Sequence, residues 1–125
     1  MQLLATEGTE GSLQGSSSRG LNLIPGRVVR LNVGSDLVLP HVGWNALHWQ
    51  GTPSMLFNDL VEGRDMYFVH SYYFQPEDPS HVLAFTNYGG RFTAVVGRGS
   101  CIGVQFHPEK SQRLGRHLLQ NFLSM

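Results

Sequence analysis

Glycine and proline interrupt this chain so often that no long helix can run through most of it: fifteen glycines and six prolines are spread over 125 residues. Glycine loses the most conformational freedom on ordering, and proline has no amide hydrogen to give a helix, so both act as punctuation. The segments between them are short and rich in β-branched and aromatic side chains, which favours strands. Strands are expected over 27–31, 37–39, 45–49, 66–70, 82–86, 92–96 and 101–106. Most connections are too short for a crossover helix, so neighbouring strands should pair as hairpins and meanders.

The two ends read differently. Residues 1–5 are good helix formers with no capping residue in front of them, so they look like helix interior from Met1 onward. Residues 6–20 are rich in Gly and Ser and too poor in apolar side chains to fix a core position, the composition of a mobile loop. A short helix is expected over 54–60, opened by Pro53 or Ser54 and ended before Gly63. From Ser111 onward, Leu114, Leu118, Leu119 and Phe122 fall on one helical face. Arg113, Arg116 and Gln120 are left for solvent, and Ser111 stands where a hydroxyl would cap the N-terminus.

The length suits one domain with a single core. Apolar residues make up 41% of the chain, and no run approaches the roughly 18 consecutive apolar residues of a membrane span. Nine Lys plus Arg balance nine Asp plus Glu, so the net field that would attract nucleic acid or an acidic membrane is missing. Neither partner is expected. A single cysteine and no leader-like N-terminus make a cytoplasmic setting the expectation.

The chemistry concentrates in residues 103–111, where an apolar strand runs into His107, Pro108 and Glu109. Pro108 ends ladder pairing on its own amide, and Glu109, two residues past His107, can project to the same side. A carboxylate beside an imidazole fixes its tautomer and stabilises its protonated form, as in a general base oriented toward a nucleophile. The same tripeptide also fits a plain exposed turn. The only thiol is Cys101. If 101–107 is extended, about 20 Å separates it from His107, against the roughly 3 Å a nucleophile and base require. Cys101 therefore reads as a small core residue. Ser100 fails on the same distance, and Ser111 reads as a cap.

The remaining histidines, 41, 48, 70, 81 and 117, lack the spacing of metal ligands, and no metal site is expected. In residues 40–45, Gly43 would let the backbone turn and leave Trp44 and Asn45 at a loop apex, an interface anchor unless Trp44 is core. Residues 66–74 read as a buried strand leading into a polar turn, where backbone amides near Ser71 and Tyr72 could face a ligand.

Five stretches together resemble one family. They are Gly20-Leu-Asn-Leu-Ile-Pro-Gly-Arg-Val-Val-Arg-Leu31, Pro40-His-Val-Gly-Trp-Asn45, Tyr67-Phe-Val-His-Ser-Tyr-Tyr73, Thr86-Asn-Tyr-Gly89 and Gly103-Val-Gln-Phe-His-Pro-Glu-Lys-Ser111. In order and spacing they are similar to the glutamine amidotransferase subunit of imidazole glycerol phosphate synthase, from histidine biosynthesis. The His-Pro-Glu tripeptide alone marks only the class I amidotransferase superfamily. The resemblance implies the C-terminal portion of an α/β, flavodoxin-like amidotransferase domain, with a mixed sheet, hairpin and meander strands and a C-terminal helix. It also implies glutamine hydrolysis by a Cys-His-Glu triad, with ammonia passed to a cyclase partner subunit and no cofactor. His107 would be the base and Glu109 its orienter. Gln2, Glu10 and the backbone of Ser71 and Tyr72 would hold glutamine, and His41, Trp44, Asn45 and Lys110 would face the cyclase.

The resemblance carries two departures. Asn22 stands where the family usually has Gly. Residues 1–4 match the sequence that in the family directly follows the nucleophile elbow, Gly-x-Cys-x-Gly, so the nucleophile would lie upstream of Met1. The chain is thus expected to be a single partial domain, truncated after the elbow and without glutaminase activity alone. Three readings follow from it: half of an enzyme completed by a separate chain, a non-catalytic module that binds the cyclase, or a fragment with no function of its own. An open sheet edge would also favour homo-oligomers.

Overall fold

The computed structural model describes all 125 residues. In chain order its strands are β1 (Glu7–Gly8), β2 (Ser18–Arg19), β3 (Gly26–Arg30), β4 (His41–Ala46), β5 (His48–Trp49), β6 (Asp65–His70), β7 (Tyr72–Pro76), β8 (Val82–Asn87), β9 (Arg91–Arg98) and β10 (Cys101–Val104), followed by one helix, α1 (Gln112–Leu123). They form three sheets, ordered β2-β1-β3-β7, β10-β9-β8-β5 and β4-β6. Antiparallel pairing dominates, as the short connections require. The exception is β1, which runs parallel to β3 with Glu7 opposite Arg27.

Strand β9 organises the interior. Residues Phe92 to Val96 are buried one after another, so both faces of the strand are covered. Phe92, Ala94 and Val95 join the larger core with Phe68, Phe106 and Leu118, while Val96 belongs to a smaller cluster with Ala5, Ile24, Val28 and Phe74. The meander β8-β9-β10 carries the chain straight to His107, the residue after Phe106.

Several elements differ from the sequence expectation, each for a reason in the hydrogen bonding. Residues 37–39 form no strand, and the stretch expected at 45–49 is divided at Leu47. The Leu47 amide bonds to Arg64 O at 3.0 Å and its carbonyl to Gly63 N at 2.8 Å. That pull toward the 63–64 turn puts β4 and β5 in different sheets. Trp44 and Asn45 therefore sit within a strand and not at a loop apex. The polar turn expected after residue 70 is reduced to Ser71, whose carbonyl accepts from Leu31 N at 2.9 Å, and β7 continues beyond it as an edge strand that tolerates Pro76.

At the N-terminus the helix is one 3-10 turn, Gln2–Leu4. The expected mobile loop holds β1 and β2, tied down by Thr6 N to Gly26 O at 3.0 Å and Gly20 N to Thr6 O at 2.9 Å. The helix expected at 54–60 is a single turn, Met55–Phe57, with Ser54 Oγ accepting from Leu56 N. The chain leaves the helical conformation at Asn58, with ψ 130°, and Asp59 follows at φ +59°.

Helix α1 forms as expected but is rotated. Leu118 is buried and Leu114 packs on the larger core, whereas Leu119 and Phe122 are 41% and 44% exposed. The inward stripe runs through Leu114, Gly115, Leu118 and Asn121, and the Asn121 side-chain amide donates to Leu56 O at 2.9 Å and Asn58 O at 2.8 Å. Those two bonds fix the helix against the 55–57 turn.

Candidate functional site

His107 lies just beyond β10, where Pro108–Lys110 form a 3-10 turn. The turn folds Glu109 back over the ring, and His107 Nδ1 donates to Glu109 Oε1 at 2.8 Å. Glu109 is the ring's one side-chain partner, and the side chains are 37% and 60% exposed. The carboxyl of Glu109 is held below the usual carboxylate range by its own backbone amide first, then by the His107 hydrogen bond and the nearby charges of His107 and Lys110. It remains an acceptor for the imidazole through the neutral range.

The turn is pinned from below. Ser111 was expected to cap α1, but its hydroxyl caps nothing. It is buried, donates to His107 O at 2.7 Å and accepts from Tyr67 N at 3.0 Å, while His107 N donates to Tyr67 O at 2.9 Å. The His-Pro-Glu turn is thereby stapled to β6. From the other side Gly115 lets α1 press against it: a Cβ at that position would lie 1.9 Å from Pro108 O. Cys101 is half-buried at the far end of β10, against the smaller core. With β10 extended between them, it has no access to His107.

The substrate-side residues are only partly assembled. Gln2 Nε2 donates to Tyr72 O at 3.1 Å and lies 3.4 Å from Gln105 Oε1, two residues before His107. Gln2 and Glu10 line a common shallow cleft of about 210 Å³ with Glu7, Ser18 and Arg19. Neither Ser71 nor Tyr72 lines it, and neither do His107 and Glu109.

Of the residues expected to face a partner, Trp44 is 47% exposed on β4 and meets Tyr67 edge-on at 5.5 Å. Lys110 Nζ sits 5.9 Å above the same Tyr67 ring, so the exposed Trp44 and Lys110 meet over a half-buried Tyr67 beside the His-Pro-Glu turn. His41 departs from the expectation. It is 1% exposed, because the inward alternation of β4 stacks its ring between Tyr88 and Phe68. Asn45 is half-buried, bonded to His41 and to Asn87 O.

Tyr67, Gln105 and His70 were not singled out from sequence. For His70 a signal existed: Met66, Phe68 and His70 recur with period two, which places all three on the inward face of β6. Burial lowers the His70 pKa from 6.5 to about 4, and burial also lowers that of His41, partly offset by Asn45. A folded-state pKa below the unfolded one means that the unfolded chain binds more protons in between. The stability from neutral His70 is then complete above pH 6.5 and is lost as pH falls toward 4, by at most roughly 3 kcal/mol. The urea midpoint should fall over that window, and more weakly in His70→Gln, which cannot titrate. Equal slopes would contradict this.

With the site laid out, its class follows from comparison. A family model described as glutamine amidotransferase class-I matches residues 1–125, and the chain belongs to that family. Within it, the chain is 52% identical to imidazole glycerol phosphate synthase subunit HisH 1 of Prochlorococcus marinus (strain MIT 9313), over 100% of this chain and 59% of that protein. It is 46% identical to subunit HisH of the same synthase in Syntrophotalea carbinolica, over 100% of this chain and 61% of the relative. For the Rhodospirillum rubrum subunit the identity is 45%, over 98% of this chain and 56% of the relative. The chain thus spans between 56% and 61% of the length of these curated relatives. No helix is long and apolar enough to cross a membrane.

Proposed function

We propose that this chain contributes the general base and its orienting carboxylate to the glutaminase of an imidazole glycerol phosphate synthase, working in the cytoplasm with a cyclase subunit. The observation that carries the reading is the 2.8 Å contact between His107 Nδ1 and Glu109, which commits that nitrogen and leaves Nε2 with no protein partner. A base in this tautomer takes a proton at Nε2 from a thiol. The thiolate attacks the carboxamide carbon of glutamine, and the proton passes from His107 to the departing ammonia; water then cleaves the thioester by the same base, releasing glutamate. Gln2, Glu10 and the backbone of Ser71 and Tyr72 hold the glutamine. The thiol comes from sequence outside these 125 residues, in the part of the relatives that this chain does not span, so residues 1–125 act as one partial domain. Mixing the chain with that part of the Prochlorococcus marinus relative should release glutamate from glutamine. No glutamate at any ratio, with both parts folded, would remove the reading.

A second reading is supported by the surface patch in which exposed Trp44 and Lys110 meet over the half-buried Tyr67. In it the chain is a module that binds the cyclase subunit without catalysis, with the half-exposed indole of Trp44 as anchor. Trp44→Ala should then weaken capture by the cyclase at least tenfold, and unchanged capture would remove the anchor role. Self-association is a separate proposal, resting on the exposed Leu3, Leu21 and Leu23 near the β2 edge. Light scattering should report a dimer or larger, and a clean monomer would count against it.

A further inference from the structure

A row of hydrogen-bonding groups crosses the interior from the end of β8 to the β6–β7 turn. Asn45 Nδ2 donates to Asn87 O at 3.0 Å, which fixes the orientation of the amide and leaves Asn45 Oδ1 as an acceptor. That oxygen lies 2.6 Å from His41 Nε2, His41 Nδ1 lies 2.9 Å from His70 Nε2, and His70 Nδ1 lies 2.8 Å from Tyr72 O. Both ends of the row are acceptors. The three contacts need three ring protons, and two neutral imidazoles carry two.

One contact is therefore unmade whenever the pair is neutral. An unprotonated contact between the rings would leave a nitrogen unsatisfied on each, and an unprotonated His41 Nε2 would face Asn45 Oδ1 at 2.6 Å with both acceptors unsatisfied. An unprotonated His70 Nδ1 leaves only itself, because Tyr72 O keeps a second donor, Gln2 Nε2 at 3.1 Å. The contact given up is the grip of His70 on Tyr72.

We propose that His41 and His70 form a one-proton latch on the Tyr72 peptide: the neutral pair leaves Tyr72 O to Gln2, and uptake of a single proton makes His70 a donor to that carbonyl and completes the row. The charge has a host. The His41 ring stacks on Tyr88 at 4.0 Å and on Phe68 at 5.3 Å, and aromatic faces attract a cation. Burial opposes the charge and sets the uptake below the ordinary histidine range. The groups facing the pair are Phe68 from β6, Phe92 from β9 and, after β8, Tyr88, whose hydroxyl donates to Val38 O at 2.7 Å. No ion pair of the chain involves either ring. Where Tyr72 holds glutamine, as the functional reading has it, His70 is a positioning residue; the latch itself belongs to the chain whether or not glutamine binds there.

Ring-nitrogen NMR of the 125-residue chain, titrated from mildly alkaline pH to the acid edge of the folded range, reads each proton directly. At the alkaline end both rings should be Nε2–H, with His70 Nδ1 bare, and one proton should then enter the pair and appear at His70 Nδ1. Asn45→Ala removes the fixed acceptor, so two protons suffice for the remaining contacts, and His70 should become Nδ1–H at the alkaline end without charge. Asn45→Asp places a carboxylate beside His41 and should raise the uptake pH by about one unit or more. A wild-type His70 already protonated at Nδ1 at the alkaline end, no proton uptake before unfolding, or tautomers and uptake pH unmoved in the folded Asn45 variants would overturn the proposal.

Discussion

His107→Ala, in a complex of this chain with the part of a relative proposed to carry the thiol, is expected to lower glutamate release by about 10²–10⁴-fold, the range assigned to a positioned general base. The loss should appear in kcat, because the proton transfers belong to the transition states and not to glutamine binding. Glu109→Gln should cost less. Its amide oxygen can still accept from His107 Nδ1, but the charge that stabilises the imidazolium is gone, and at 60% exposure solvent already screens part of that charge. Thiol alkylation at an unchanged rate in His107→Ala, or turnover within a few-fold of wild type, would show that the imidazole does not serve the thiol.

Gly115→Ala is expected to destabilise the chain by about 1–3 kcal/mol, the usual cost of overpacking. In an open helix the same change would stabilise, since alanine is the better helix former. Here the added Cβ meets Pro108 O at 1.9 Å and Ser111 Cβ at 2.9 Å, and a backbone carbonyl cannot swing aside as a side-chain tip can. Relief requires moving α1 off the turn or moving the turn itself. The second route disturbs the Ser111 hydroxyl that joins His107 O to Tyr67 N. The urea midpoint should fall, and glutamate release in the reconstituted complex should fall beyond what the lost stability explains. Arg116→Ala, one residue on and exposed, should stay within about 0.5 kcal/mol of wild type. A neutral Gly115→Ala would mean that the helix does not depend on this close approach.

What was legible from sequence was local. His107 and Glu109 lie two residues apart, so their pairing is readable from the tripeptide, although the turn at Pro108–Lys110, and not strand alternation, is what brings them together. The meander β8-β9-β10 was legible for the same reason, being built from neighbours. What was hidden depends on partners far along the chain. The Ser111 hydroxyl reads as a cap until Tyr67, 44 positions away, takes it. Leu47 looks like the middle of a strand until the 63–64 turn claims both of its backbone groups. His41, read as a surface contact, is drawn inward by Tyr88 and Phe68, and no local pattern specifies that stack. Residues 6–20 looked too polar to order, and backbone bonds from their flanks to residues 3–6 and 26 hold them without apolar burial.

The most direct measurement is glutamate released from labelled glutamine by the 125-residue chain, before and after the thiol-bearing segment is added, with His107→Ala alongside. Before addition no release is expected, since Cys101 lies at the far end of β10 from the imidazole; after addition release should appear and fall by about 10²–10⁴-fold with His107→Ala. Release from the chain alone that His107→Ala abolishes would mean that the nucleophile is already inside these residues, and the assignment of base and orienter to an absent thiol would be wrong.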